Sequence, residues 1–334
     1  MKKGILMVFI VLLLGMSLVL SGCSNQSEIT KVKLSEVTHS IFYAPQYVAI
    51  TQGFFKEEGL ELEISNGQGA DKVMTAVLSG QVDIGFAGPE ASVYVYNEGK
   101  EDHSVVFAQL TNGDGTFLMG RNPEPNFKWS NLKGKTVLGG RKGGMPAIVL
   151  QYVLKETGLK VGKDVSIDTT MQFAAMPGAF MGGQGDYVII FEPTASSMEK
   201  EGKAYIVASL GKESGEVPYT AYFAKKSTIE KNSELIQKFT NAIYKGQRWV
   251  ENHTPEEIAR AIKPQFPEEN DQILVSAVKR YKEQNTWKTD PVLQEKDFYL
   301  LQQIIKDAGE LNKIAPYDKV VTTKFGDMAI KNGK

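Results

Sequence analysis

Gly80-Gln81-Val82-Asp83-Ile84-Gly85-Phe86-Ala87-Gly88-Pro89-Glu90 and Gly183-Gln184-Gly185-Asp186-Tyr187-Val188-Ile189-Ile190-Phe191-Glu192-Pro193 decide the fold. In each, a glycine able to take a left-handed cap stops a helix and a Gln-x-Asp turn follows. A short apolar run then reads as a buried strand, and Pro opens the next helix. Gly-Gln-x-Asp alone could recur by chance in a chain with 32 Gly. Its recurrence in the same helix-strand-helix setting points instead to one structural unit used twice.

The surroundings of both copies alternate strand with helix. Val32 to Val37 reads as a strand, Pro45 opens a helical stretch that Gly59 ends, and Leu60 to Ser65 is the next strand. Val73, Met74, Ala76 and Val77 mark the helix before Gly80. After strands at Phe117 to Gly120 and Thr136 to Gly139 come a helix at Ala147 to Thr157 and a strand at Ser166 to Thr169. Tyr219 to Ala224 reads as a strand returning to the first unit. Helices then follow at Ser233 to Asn252, Pro255 to Ile262, Asp271 to Tyr281 and Pro291 to Ala308. The expected fold is α/β with two lobes, each a doubly wound sheet, and a C-terminal helical segment packing on lobe one. Lobe one would hold 32–115 and 222–334, lobe two 116–221, with hinge crossings near 116–120 and 219–224.

Composition narrows the function. The chain has 334 residues, 42% hydrophobic and 23% charged, so it can bury two cores. Its 38 basic and 39 acidic groups give no basic excess for nucleic acid. A single Cys excludes an intrachain disulfide framework, a CxxC redox pair and a multi-cysteine metal site. That Cys is Cys23, in Leu20-Ser21-Gly22-Cys23, directly after Lys2, Lys3 and the apolar run Ile5 to Leu20. The run is short of the ~20 residues that span a bilayer. Residues 1–22 therefore read as a lipoprotein signal peptide and 23–31 as a tether, with Cys23 the lipidated residue. Removing 1–22 takes Lys2 and Lys3 and no acidic group, moving the net charge from −1 to −3.

Enzyme signatures fail one by one. Gly134-Lys135-Thr136 resembles the end of a phosphate loop, but Trp129 stands where its first Gly belongs. No G-x-G-x-x-G or G-x-S-x-G occurs, and His39, His103 and His253 are scattered, so no cofactor and no metal are expected. His39 alone lies near the expected cleft, in an orienting or bystander role. In a doubly wound sheet the ligand sits beyond the carboxyl ends of the strands, against helix starts. The residues placed there are Ser40, Phe42, Tyr43, Gln68, Gly69, Pro89, Glu90, Asn112, Arg141, Lys142, Gly143, Gly144, Phe173, Phe191, Glu192 and Tyr219. Arg141 and Lys142 before Gly143 and Gly144 form an anion cradle or a solvated turn. Glu90 suits its helix dipole, whereas Glu192, at the end of an apolar strand, is the carboxylate expected to reach a ligand.

Tyr43-Ala44-Pro45-Gln46-Tyr47, Gln52-Gly53-Phe54-Phe55-Lys56-Glu57-Glu58-Gly59-Leu60 and Ala76-Val77-Leu78-Ser79-Gly80-Gln81-Val82-Asp83-Ile84-Gly85 resemble the solute-binding lipoproteins of ABC importers that handle sulfonates, taurine, nitrate and thiamine pyrimidine precursors. The resemblance implies the periplasmic-binding-protein fold, closing about one small molecule, with a cognate permease and ATPase as partners. It matches Gly67-Gln68-Gly69 to the Gly-rich ligand loop and Phe191-Glu192-Pro193 to an aromatic-acid-Pro site. It implies a lipid-anchored monomer on the extracytoplasmic face of the cell membrane that carries a small organic solute such as an aliphatic sulfonate. A heteroaromatic ligand is the alternative, and a ligand-sensing lipoprotein or an enzyme on the same fold is the second. A related fold that synthesises a pyrimidine carries a His and a Cys-rich stretch. Here the only Cys is at the lipid site, which leaves a non-enzymatic reading.

Overall fold

The computed structural model describes residues 29–333, so the signal segment, Cys23 and most of the tether lie outside the described residues. The first strand starts inside the expected tether, at Thr30. Strands run β1 Thr30–Glu36, β2 Leu60–Asn66, β3 Ile84–Ala87, β4 Ser104–Thr111 and β5 Thr116–Gly120. They continue with β6 Thr136–Leu138, β7 Ser166–Asp168, β8 Tyr187–Phe191, β9 Tyr205–Ser209 and β10 Thr220–Lys225. In β1 the apolar Val32 and Leu34 are buried while Lys33 between them faces water, the two-residue period of a pleated strand.

Two five-stranded sheets result, in the orders β2-β1-β3-β10-β4 and β7-β6-β8-β5-β9. β1, β2 and β3 are parallel and β10 is antiparallel to both its neighbours. β6, β7 and β8 are likewise parallel, with β5 antiparallel to β8 and β9. The sheets therefore match strand for strand, the doubly wound pair expected from the repeated unit. The chain passes to the second sheet between β4 and β5 and returns between β9 and β10.

The repeat has a physical cause. At the start of β3 the Asp83 carboxylate accepts the Lys33 N–H at 2.9 Å, while the Asp83 N–H donates to the Lys33 carbonyl at 2.9 Å. At the start of β8 the Asp186 carboxylate accepts the Thr136 N–H at 2.8 Å, and its N–H returns to the Thr136 carbonyl at 2.8 Å. Each Asp thus clamps its strand to the equivalent neighbour, β1 or β6. Before each clamp a helix ends at a left-handed glycine, Gly80 (φ 77°) or Gly183 (φ 97°).

Helices at Ser233–Asn252 and Pro255–Ile262 fall at the expected residues. The second starts with a capping box in which Thr254 and Glu257 satisfy each other's backbone N–H groups. Helix Ser233–Asn252 packs on Ala44–Thr51 of the first layer, as expected. The approach is close: a Cβ on Gly246 would lie 2.3 Å from the Pro45 carbonyl oxygen. The C-terminal segment also reaches the second layer. Helix Asp271–Glu283 packs on Thr194–Lys200, and Glu295–Asp307 packs on Met145–Glu156. Strands β4 and β9 carry no clear alternation and went unread in the sequence; β4 is buried almost throughout and β9 is an edge strand of intermediate exposure. Among the described residues no helix is long and apolar enough to cross a membrane.

Candidate functional site

A cavity of about 150 Å³ lies between the two sheets. Its walls come from the carboxyl ends of parallel strands on both sides. Val37 and Thr38 follow β1, Asn66 ends β2 and Gln68, Gly69 and Ala70 follow it, and Gly88 and Glu90 follow β3. Opposite them, Arg141, Gly144, Met145 and Pro146 follow β6, Gln172, Phe173 and Ala174 follow β7, and Phe191 ends β8. Tyr43 closes one side, and Tyr219 and Thr220 enter where the chain returns to the first sheet.

Local sequence shapes these loops. The Asn66 side chain accepts the Gln68 N–H at 3.0 Å and holds Gln68 in the left-handed region, φ 58°. Arg141 leads into helix Met145–Glu156, whose start, Gly144 to Pro146, lines the cavity and whose Pro146 lacks an N–H donor. Arg141 Nε lies 3.3 Å from Asp71 Oδ1, so its charge is already answered across the cleft. Phe173 and Phe191 form an aromatic wall with ring centroids 5.0 Å apart.

Glu90 is 1% exposed, and its Oε2 has no hydrogen-bond partner. Burial pushes its carboxyl up to about 7, against the pull of its own and the Ala91 N–H groups and of Arg141. The carboxyl folds back over Gly88, where a Cβ would stand 1.9 Å from Oε2. Only glycine leaves room for it there. Burial holds the Tyr43 and Tyr219 hydroxyls well above their usual range, so both stay neutral. Behind Tyr219, Asp114 is buried and pushed up to about 7; its Oδ1 accepts Thr116 N and Oγ1, each at 2.6 Å.

Of the residues expected at the site, the cavity brings together Tyr43, Gln68, Gly69, Glu90, Arg141, Gly144, Phe173, Phe191 and Tyr219. The others stand elsewhere. Glu192 is the main correction: its carboxylate faces away from the cavity, paired with Arg280 Nη1 at 2.6 Å and accepting Ser196 N and Oγ at 2.8 and 2.9 Å. Ser40 donates to the Glu192 carbonyl at 2.6 Å and so ties the two layers together. Phe42 is fully buried behind the wall, 5.2 Å from Phe191 and 5.5 Å from both Tyr219 and Tyr281 between ring centroids. Pro89 caps the helix that carries Glu90. Asn112 lies in the crossing, where its backbone bonds Thr286 and Val217. Lys142 points outward, 3.9 Å from Glu310, and the Gly143 carbonyl accepts the Tyr94 hydroxyl at 3.3 Å.

Sequence reasoning missed Val37, Thr38, Ala70, Gln172 and Thr220 in the wall, and took Pro146 only as a helix start. Val37 and Thr38 directly follow β1, so the general placement of ligands beyond the carboxyl ends of parallel strands already pointed to that segment. His39 is outside the wall. Its Nδ1 is 2.8 Å from Glu36 Oε1 and its Nε2 is 2.9 Å from the Gln265 carbonyl oxygen, while Tyr47 and Gln46 also donate to Glu36. Among the described residues no group of three His, Cys, Asp or Glu could hold a metal ion. The arrangement can enclose a small solute and hydrogen-bond it from both sides.

Residues 41–258 match the family model described as NMT1/THI5 like. The chain is 48% identical over 308 residues to the Bacillus subtilis (strain 168) protein named "Putative binding protein YtlA", covering 92% of each. A solved structure from Bordetella bronchiseptica RB50 aligns with TM-score 0.72 and 23% identity, over 92% of this chain and 98% of that one. The alkanesulfonate-binding protein SsuA from Xanthomonas axonopodis pv. citri, bound to MOPS, aligns with TM-score 0.71 and 14% identity, over 89% and 99%. These structural likenesses establish the periplasmic-binding-protein fold.

Proposed function

We propose, from the premise that this chain belongs to the NMT1/THI5-like family, that it is the solute-binding subunit of an ABC importer. It acts outside the cytoplasm as a monomer, tethered to the membrane through a lipidated Cys23, and hands one small solute to its permease and ATPase without a catalytic step. One observation carries this reading: the cavity walls come from both sheets, Tyr43 and Glu90 from one side and Phe173 and Phe191 from the other. A site divided this way is completed only when two lobes, 32–115 with 222–334 and 116–221, close together about the crossings beside β5 and β10. Ties across the cleft support closure as the state described: Arg141 to Asp71, Tyr94 to the Gly143 carbonyl and Ser40 to the Glu192 carbonyl. The solute must favour the closed state over the open one for binding to signal anything.

The cavity volume of about 150 Å³ equals that of an engineered protein cavity that holds a benzene ring, so the solute is one ring or its equivalent. Two ligand classes compete. Arg141 and the start of helix Met145–Glu156 support a sulfonate, as does the likeness to a sulfonate binder. The Phe173–Phe191 wall and the unpartnered Glu90 Oε2 support a heteroaromatic ring. Because Asp71 already answers Arg141, and among the described residues Glu90 forms no salt bridge, the heteroaromatic reading is the better supported. That reverses the order expected from the sequence.

Thermal-shift measurements with sulfonates, nitrate and pyrimidines should give one responding class, since a ligand of the folded state raises apparent stability by mass action. Solution scattering with that ligand at saturation should show contraction; an unchanged profile would count against closure. Cys23→Ser should release the protein from the membrane fraction.

A further inference from the structure

Two buried polar atoms of the cavity lining, Glu90 Oε2 and the Tyr219 hydroxyl, have no hydrogen-bond partner, and of the two only Glu90 is a carboxyl that can carry charge near neutral pH. Glu90 Oε2 is buried, lines the cavity and meets no donor. An unpaired buried acceptor costs about 1–3 kcal/mol, and more if charged, so such a group is kept where something else satisfies it. The fold holds it there: Gly88 leaves the space into which the carboxyl turns, and helix Glu90–Asn97 fixes its backbone. The titratable and charged groups around it are Arg141, Tyr43, Tyr94 and Tyr219, with Glu310 beyond Tyr94 and Asp114 beyond Tyr219. Arg141 is the one cation of this set, and its guanidinium is held by Asp71.

We infer that Glu90 is the specificity-determining residue of the cavity and selects a ring that carries a cationic nitrogen, a protonated amine or amidine, against anions of the same shape. The inference rests on the proposed reading of the cavity as a one-ring solute site. A cationic N–H supplies both the missing donor and the missing charge, a pairing that is stronger than a neutral one and stronger again out of water. A sulfonate in the same place would set an anion against a buried carboxyl and would force it to stay protonated.

Proton linkage follows, with its sign fixed. Burial pushes the Glu90 carboxyl up to about 7. A cation stabilises the carboxylate, so below that value binding must expel a proton, and affinity climbs as pH rises before levelling off. An anion gives the opposite slope. One linked proton makes a cation about tenfold tighter at about pH 8 than at about pH 6.

Benzamidine, benzamide and benzenesulfonate are matched single-ring probes that differ in charge. Calorimetry with the full chain at both pH values should rank benzamidine first, with that tenfold gain and with proton uptake by the buffer at the lower pH. Glu90→Gln should weaken benzamidine at least tenfold and flatten its pH profile. The wild-type profile is informative even if the variant folds poorly. Tightest binding by benzenesulfonate, or a benzamidine affinity independent of pH, overturns the selectivity of Glu90 alone. Binding by none of the three overturns the one-ring reading beneath it.

Discussion

Arg280→Met removes the guanidinium from the cluster that joins helix Asp271–Glu283 to the second layer. Glu192 is 1% exposed, and Arg280 meets it at 2.6 Å while its other nitrogen meets Glu199 at 3.0 Å. Without Arg280, the Glu192 carboxylate keeps only its Ser196 bonds inside a site closed to water. Breaking a fully buried pair costs about 3–5 kcal/mol, whereas an exposed pair contributes at most about 1 kcal/mol. The Arg280 side chain is 32% exposed, which places the loss at roughly 2–3 kcal/mol. For a chain of this size that is a fall in Tm of about 3–5 °C. Methionine keeps much of the apolar stem, so lost packing contributes little, and the guanidinium carbon that stands 5.9 Å from the Phe117 ring centroid goes with the charge. Glu192→Gln should cost less, and combining it with Arg280→Met should recover part of the loss, because the orphaned charge is gone. Calorimetric unfolding of the two single variants and the double variant measures this. Strict additivity, or an Arg280→Met loss below about 0.5 kcal/mol, would refute the reasoning. Ligand affinity of Glu192→Gln should stay within about threefold of wild type. A large loss of affinity at unchanged stability would return Glu192 to the ligand site.

Gly88→Ala puts a methyl 1.9 Å from Glu90 Oε2, so the carboxyl must turn away and ligand affinity should drop at least about tenfold, read by calorimetry. Asp83→Ala and Asp186→Ala each remove one strand clamp and should each cost about 1 kcal/mol in denaturant unfolding; a neutral result for both would deny the repeat its physical cause. Burial works to lower the pKa of His39, but the Glu36 carboxylate and the Gln265 carbonyl hold it above the usual value. Its stabilising contribution is therefore full below the ordinary histidine pKa and lost as pH rises through the raised one. The stability gap between wild type and His39→Asn should narrow over that window.

What the sequence showed and hid follows from how far apart the deciding groups lie. The repeated Gly-Gln-x-Asp unit was legible because its pattern is local, whereas the clamps of Asp83 and Asp186 to β1 and β6, some 50 residues away, were not. Helices Ser233–Asn252 and Pro255–Ile262 were legible because their apolar faces recur at helical spacing and a Thr-Pro start marks the second. β9 carries no such pattern, since an edge strand of intermediate exposure needs none. The carboxylates show the limit most directly. Glu90 follows its Pro and Glu192 precedes its Pro, and from local sequence Glu192 has the better claim on a ligand. The structure exchanges their surroundings: Glu192 is claimed by Arg280, 88 residues further on, and one oxygen of Glu90, Oε2, is left without a donor in the cavity. A partner that distant leaves no mark near either residue. The loops at the strand ends could be found; the direction of each side chain could not.

The interleaved sheets set an order for biosynthesis. β4 has a single strand partner, β10, and β10 also fills the place between β4 and β3. As the chain emerges from its amino terminus, β4 stands without a neighbour until residues 220–225 appear. The second sheet is drawn wholly from 116–209 and is complete by then. The later-made half therefore finishes first, and the first sheet must wait with an open edge for its missing strand, the long-range pairing that slows folding and exposes a chain to aggregation.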